Sequence, residues 1–269
     1  MLSGVKAAAK DAVFPPRCCG CGRFYRIQPP GQVTGRESGE IDRRFVTLLA
    51  DYLCDTCSRT IEPIQSPLCS HCGRPFDAPQ GVDHLCGKCQ QDPFDFDMAR
   101  SAGIYSHAFK ALICLYKYQY RSELAVPLSR LLWQTMDLYW DPGEFDCIIP
   151  VPLYHRRLRV RGFNQAELLI RQWPELARAQ GIAFDRGKLA NRMLVRCRNT
   201  TPQTGLDRDR RVANLQGAFK LSASDAARGC RVLLVDDVLT TGATANACAR
   251  TLKGAKAASV KVLTLARAV

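Results

Sequence analysis

Between Arg231 and Val238 the sequence reads RVLLVDDV, an apolar run that closes on two acids and leads straight into LTTGAT. A continuous run of Val and Leu without polar alternation is the pattern of a strand covered on both faces, and such strands belong to parallel sheets with helices on each side. The segment that follows, ANACARTLKGA, has helical character, and ASVKVLTLARA reads as another buried strand. Strand, helix and strand in that order predict a right-handed crossover. The fold class is therefore α/β.

A strand of this kind delivers Asp236 and Asp237 to its carboxyl end, where open parallel sheets place their ligands. The helix after the turn directs its free N–H groups and positive dipole end into the same crevice. Gly242 allows the backbone to close around an anion, Ala243 lies in the same loop, and Thr240, Thr241 and Thr244 add hydroxyl donors. This loop suits a phosphate monoester, and the adjacent carboxylates suit sugar hydroxyls, directly or through Mg2+. Acids after an apolar strand also occur in Walker B segments, but the chain contains no G-x-x-x-x-G-K-[ST], and no G-x-G-x-x-G opens a helix.

The N-terminal third has a different character. Residues 14–97 are rich in cysteine, proline and glycine and lack long periodic apolar patterns, so something other than a conventional core must hold them. Eight of the fourteen cysteines form four C-x-x-C pairs: Cys18/Cys21, Cys54/Cys57, Cys69/Cys72 and Cys86/Cys89. A C-x-x-C turn presents two sulfurs to one side of an ion, and two turns complete a tetrahedral Zn2+ site. The spacing predicts one or two structural zinc ions, with sequential and interleaved pairing both open and His71 and His84 as substitute ligands. Such sites tie folding to the metal. Residues 1–97 are thus expected to form a small zinc-binding, ribbon-like module, and residues 98–269 the α/β domain.

Between these regions, SAGIYS reads as a strand, and HAFKALICLYKYQYRSELAVPLSRLLWQTMDLYW as one or two helices with Pro127 at a break or in a first turn. FDCIIPVPL suits a buried strand followed by a shaped loop. FNQAELLIRQWPELARAQG is a helical pattern interrupted by Pro174 and stopped by Gly181. Residues 186–220 read as a mobile excursion with a little strand.

Charge is distributed unevenly. Residues 151–220 hold fifteen Lys and Arg against five Asp and Glu, whereas residues 1–150 hold sixteen against seventeen. A basic field of this kind attracts phosphates, of a small substrate or of a nucleic acid. No apolar stretch approaches the roughly 20 residues of a membrane span, and Lys6, Lys10 and Asp11 break the N-terminal segment where a secretory signal needs apolar residues. A cytoplasmic protein is expected.

The stretch VLLVDDVLTTGAT resembles the signature of type I phosphoribosyltransferases. From about Phe14 onward, the cysteine module, IIPVPLYHRRLRVRGFNQAELL, TPQTGLDRDRRVANLQGAF and the C-terminal strand are together similar to the ComF (ComFC/GntX-like) family. The resemblance implies a type I phosphoribosyltransferase-like parallel sheet flanked by helices, with an N-terminal double zinc ribbon-like addition. It also implies 5-phosphoribosyl 1-pyrophosphate as ligand. On matching positions, Asp236 and Asp237 meet the ribose hydroxyls and Thr240 to Thr244 the 5-phosphate. The loop after IIPVP, with Leu153, Tyr154, His155, Arg156 and Arg157, holds pyrophosphate together with Arg161, because planar guanidinium groups bind such an anion in bidentate fashion. Gly162, Asn164 and Gln165 shape that loop or position ligand, and Thr201, Gln203, Arg210 and Asn214 lie in a mobile loop that closes over the substrate.

The implied chemistry is departure of pyrophosphate from the anomeric carbon through a cation-like transition state. Asp236, Asp237, Arg156 and Arg157 then act electrostatically, with no protein nucleophile. Lys117 and Tyr118 in LYKYQY match a family-like run too, although a lysine on an amphipathic helix is expected to be solvated. As function, the resemblance implies a phosphoribosyl-binding, transferase-like protein of natural competence (DNA uptake) or DNA processing. Single-stranded DNA and DNA-uptake proteins are its partners, and Tyr154 and Phe163 are candidates for stacking on bases. A nucleobase-salvage transferase with no nucleic-acid role, and a catalytically silent sensor or scaffold, stand beside that reading.

Overall fold

Val232, Leu233, Leu234 and Val235 are all buried, as a strand enclosed on both faces requires. The computed structural model describes residues 15–27, 43–78, 80–118, 121–198, 215, 217–223 and 225–269. Along the chain, α1 (Arg43–Leu49), α2 (Asp55–Ser58) and α3 (Gly87–Gln91) accompany the cysteine turns. There follow β1 (Met98–Ile104), α4 (His107–Tyr118), α5 (Ala125–Tyr139), β2 (Cys147–Pro150), α6 (His155–Arg161), α7 (Gln165–Ile170) and α8 (Trp173–Ala179). Last come β3 (Leu194–Arg196), β4 (Phe219–Leu221), β5 (Arg231–Leu239), α9 (Ala243–Gly254) and β6 (Ser259–Arg267).

Four of the strands form a parallel sheet in the order β1-β6-β5-β2. Its register pairs Ile149 with Leu234 and Leu234 with Val262. Strand residues point alternately to the two faces, and two cores result. Leu233 and Val235 pack with Leu112, Tyr116, Leu132 and Trp173 from α4, α5 and α8, whereas Val232 and Leu234 pack with Cys248 and Leu252 of α9 and with Phe219 of β4. β3 and β4 make a separate antiparallel pair. The result is the expected α/β architecture, a parallel sheet between helical layers.

Several local expectations are refined. Pro127 lies in the first turn of α5, where its missing N–H removes no helical bond. The helical pattern at 163–181 divides into α7 and α8, with Pro174 in the opening turn of α8 and Gly181 following at φ +71°. The segment after IIPVP was expected to be a loop as far as Arg157, but only residues 151–154 are; His155, Arg156, Arg157 and Arg161 lie on α6. α6 buries none of its residues, so it has no apolar stripe to betray it. The good helix propensity of arginine and a left-handed Gly162 at φ +77°, whose N–H donates to the Leu158 carbonyl at 2.7 Å, account for it. Thr201, Gln203, Arg210 and Asn214 lie outside the described residues. Among the described residues, no helix is long and apolar enough to cross a membrane.

Candidate functional site

The cysteines assemble as two clusters, Cys18/Cys21/Cys54/Cys57 and Cys69/Cys72/Cys86/Cys89, each with all its sulfurs within 4.8 Å of one another. Pairing is thus sequential rather than interleaved. His71 packs against Phe94 and Phe96, and His84 stacks on Phe76, so neither histidine joins a cluster. The Cys21 and Cys54 sulfurs are 3.9 Å apart and those of Cys72 and Cys86 3.8 Å. Four thiolates bound tetrahedrally at zinc stand about 3.8 Å from one another. Backbone N–H groups also aim at sulfur: Gly20 and Cys54 donate to Cys18 Sγ at 3.3 Å, and Cys86 donates to Cys69 Sγ at 3.3 Å. Such donors favour the thiolate that a metal needs. The residues fit two closed, structural Zn2+ sites.

At the carboxyl edge of the sheet, β5 leads through residues 240–242 into α9. Gly242 is the N-cap of α9 at φ +82°, ψ −3°, a left-handed conformation that favours glycine, and it brings no side chain to cap the helix. The Ala243 N–H donates to Thr241 Oγ1 at 3.4 Å. Ala243 is buried, Thr241 and Thr244 are half-buried, and Thr240 is exposed. Because β2 lies beside β5 in parallel, the turn at 151–154 leaves the same edge. The Val151 N–H bonds to the Val235 carbonyl at 2.8 Å, and Asn164 ties the turn to α7: its Nδ2 donates to the Val151 carbonyl at 3.1 Å while its Oδ1 caps α7 by accepting from the Ala166 N–H. Asn164 therefore shapes the loop.

Strand alternation starts the two acids on opposite faces of β5. Asp237 shares the face of α4, where Lys117 Nζ pairs with its Oδ1 at 2.7 Å, both side chains being largely buried. Burial opposes the charge on Lys117, but the Asp237 carboxylate outweighs it and raises the ammonium's pKa. Asp236 faces Cys248 of α9 and Arg196 of β3, and its Oδ1 accepts from the Asp237 N–H at 2.9 Å. Burial, and then the neighbouring Asp237 charge, push Asp236 up to about 7, against the pull of Lys117 and Arg196. Lys117 also acts electrostatically on Asp236, so one cation serves both acids.

Lys117 was expected in solvent; it is instead part of the site. A signal existed, since Lys117 continues at four-residue spacing the buried stripe of Phe109 and Ile113. Arg196 was not anticipated. Burial and then the nearby Arg157 lower its pKa, while Cys248 and Asp236 pull the other way. Leu153 and Tyr154 are half-buried in the turn, His155 and Arg156 are exposed on α6, and the Arg161 guanidinium lies over the Tyr118 ring at 4.9 Å. Phe163 is half-buried and packs against the core, its ring tilted toward Tyr116 with centroids 6.2 Å apart.

Residues 187–268 match the phosphoribosyl transferase domain family, and residues 47–90 match the double zinc ribbon domain. The ribbon match spans three of the cysteine pairs, and Cys18/Cys21, upstream of it, complete the first cluster. The chain is 34% identical over 218 residues to the DNA utilization protein YhgH of Salmonella typhi, covering 80% of this chain and 90% of that one. It is 33% identical over 223 residues to competence protein F of Haemophilus influenzae, with 80% and 90% covered. With competence protein ComFC of Bacillus subtilis it shares 28% over 223 residues, 80% of this chain and 84% of the other.

Proposed function

The chain belongs to the ComF family, and from that premise we propose that it binds 5-phosphoribosyl 1-pyrophosphate with Mg2+ at the carboxyl edge of its sheet and serves DNA uptake or processing. One observation carries this reading: a glycine-capped helix N-terminus, threonine hydroxyls and two acids come together at one sheet edge, beside an arginine-rich helix.

In this reading Thr240, Thr241, Gly242, Ala243 and Thr244 take the 5-phosphate, and Asp236 and Asp237 the ribose hydroxyls. Residues 153–157 with Arg161 take pyrophosphate, and Thr201, Gln203, Arg210 and Asn214 close over the ligand. Mg2+ would neutralise the departing pyrophosphate. The anomeric C–O bond breaks with its electron pair leaving on pyrophosphate, and an acceptor nucleophile forms the new bond to that carbon; Arg156 and Arg157 stabilise the leaving charge. Lys117 must share or release Asp237 for the ribose to dock. In the same reading residues 1–97 form the zinc module and residues 98–269 the phosphoribosyltransferase domain.

The DNA-facing surface is placed on α6. Its sequence HRRLRVR carries Arg156, Arg157, Arg159 and Arg161 on a helix with nothing buried, next to the exposed ring of Tyr118. Guanidinium groups along a backbone track with an aromatic ring for a base are what single-stranded DNA binds. The relatives named for competence and DNA utilization support a DNA-related role in general, and a cytoplasmic location belongs to the same reading.

Calorimetric titration with 5-phosphoribosyl 1-pyrophosphate and Mg2+ tests the ligand. Wild type is expected to bind and Asp237→Asn to lose about a hundredfold in affinity; equal affinity in the two proteins overturns the assignment. Anisotropy of single-stranded DNA between about 50 and 200 mM salt tests the partner. Replacing Arg156 and Arg161 by Gln should flatten the salt dependence, whereas an absence of DNA binding together with pyrophosphate release in the presence of a free base favours nucleobase salvage.

A further inference from the structure

We propose that Arg267, at the end of β6, is a metal-site residue: its buried guanidinium is the counter-cation of the second zinc site and sets how firmly the cysteines there hold their ion. The inference stands apart from the phosphoribosyl reading and needs no ligand at the phosphate-type loop.

Zn2+ with four thiolates carries a net double negative charge. At Cys69, Cys72, Cys86 and Cys89 that charge is enclosed, since Cys69, Cys72 and Cys89 are buried. Enclosing a charge is costly unless an opposite charge lies beside it. The cation comes from the far end of the chain. Arg267 is only 6% exposed, and its Nη2 donates to Cys72 Sγ at 3.3 Å. Its Nε has no hydrogen-bond partner among the described residues. What this buried guanidinium touches is a zinc ligand. A cation beside a thiolate favours the deprotonated form that metal requires.

The strands carry this cation to the cluster. Arg267 pairs with Ile104 of β1 on one side and Leu239 of β5 on the other, so its backbone belongs to the sheet. The turn that holds Cys69 and Cys72 is pressed onto β1: the Ala99 N–H donates to the His71 carbonyl at 2.7 Å, and a Cβ on Gly73 would lie 2.4 Å from the Ala99 carbonyl oxygen. Arg100, also 6% exposed, backs the same turn, its Nη1 donating to the carbonyls of Ser70 at 3.2 Å and Ala99 at 2.8 Å. Exposed Arg74 adds a further positive charge near Arg267. Asp83, the carboxylate that acts on Arg100, is itself engaged by the Leu68 N–H at 2.9 Å. The first cluster, where Gly20 and Cys54 donate backbone N–H groups to Cys18, serves as an internal control.

The test uses the full zinc-loaded chain. Chelator competition followed by native mass spectrometry counts the zinc retained, and iodoacetamide marks which cysteines are freed. Arg267→Met, which keeps an apolar stem without the charge, should weaken zinc at the second site by about ten- to a hundredfold and leave the first unchanged. Arg267→Lys should recover most of that loss. With Co2+ in place of zinc, the d–d bands report tetrahedral geometry and the sulfur-to-metal charge-transfer band reports electron donation by the thiolates. Arg267→Met should move the charge-transfer band to lower energy with the d–d bands unchanged, which a loss of packing alone would not do. Unchanged zinc affinity at the second site, an equal loss at both sites, a charge-transfer band that stays or moves only with the d–d bands, or no recovery with lysine overturns the inference. If Arg267→Met does not fold, Arg267→Gln, uncharged but polar, is read by the same criteria.

Discussion

The two cysteine clusters share ligand set and turn geometry but live in different surroundings. Cys18 belongs to the larger core, with Phe45 and Leu49 of α1 and Ala108 and Phe109 of α4, and Cys54 and Cys57 pack against it. The second cluster has a small core of its own, Cys69, Cys72 and Cys89, with only Phe76, Phe94 and Cys86 packed around it among the described residues. Metal at the first site adds to a fold that apolar burial already supports. At the second it supplies most of the cohesion. Each cluster also backs a lysine at the site: the first packs on α4, which carries Lys117 to Asp237, and the second carries Lys88 to Thr241.

The sharpest way to break this comparison is to remove one ligand from each cluster. A structural zinc is worth on the order of 10 kcal/mol, so Cys89→Ser should unfold the turns around residues 67–92 and weaken phosphoribosyl binding, while the sheet remains folded. Limited proteolysis read by mass spectrometry, with zinc content falling from two to one, checks this. Cys57→Ser should instead lower the melting temperature of the whole chain, because its cluster is built into the main core. Identical behaviour of the two variants would erase the distinction.

A smaller effect is expected at the lysine that the first cluster supports. Lys117→Met leaves Asp237 charged and largely buried without its partner, at a cost of about 3 kcal/mol in urea unfolding. Lys117→Met with Asp237→Asn should recover most of that loss, and a failure to recover would mean that Lys117 matters for packing rather than charge. The smallest effect belongs to the loop beneath the second cluster. Gly242→Ala combines a left-handed backbone with a contact at 2.7 Å to Phe94 and should cost about 1–3 kcal/mol. Adding Phe94→Ala should return only the steric part, which a thermal-shift cycle resolves.

Much of this architecture was legible in the chain. The apolar run at 231–239, the helix after it and the strand at 259–267 all form, because an unbroken Val/Leu stretch has no stable place except between two covering layers. α6 escaped notice because HRRLRVR carries no apolar face from which a period can be read. The role of Lys117 was hidden by the usual solvation of helical lysines, although its spacing placed it on the buried stripe. Arg196 and Lys88 left no such trace, since a cation's partner far along the chain has no local signature.

What the amino acids determined by themselves are local periodicities and ligand chemistry: a parallel α/β sheet, cysteine turns that hold metal in pairs, and a glycine-opened turn after two acids. Only the tertiary structure decided which turns share an ion, that Asp236 and Asp237 start from opposite faces of their strand, and that a lysine from the cysteine module lies on the phosphate-type loop. The reason is physical. Periodicity and spacing are set by neighbours along the backbone, whereas ion pairs and shared metal sites join groups that meet only after the chain has closed long loops.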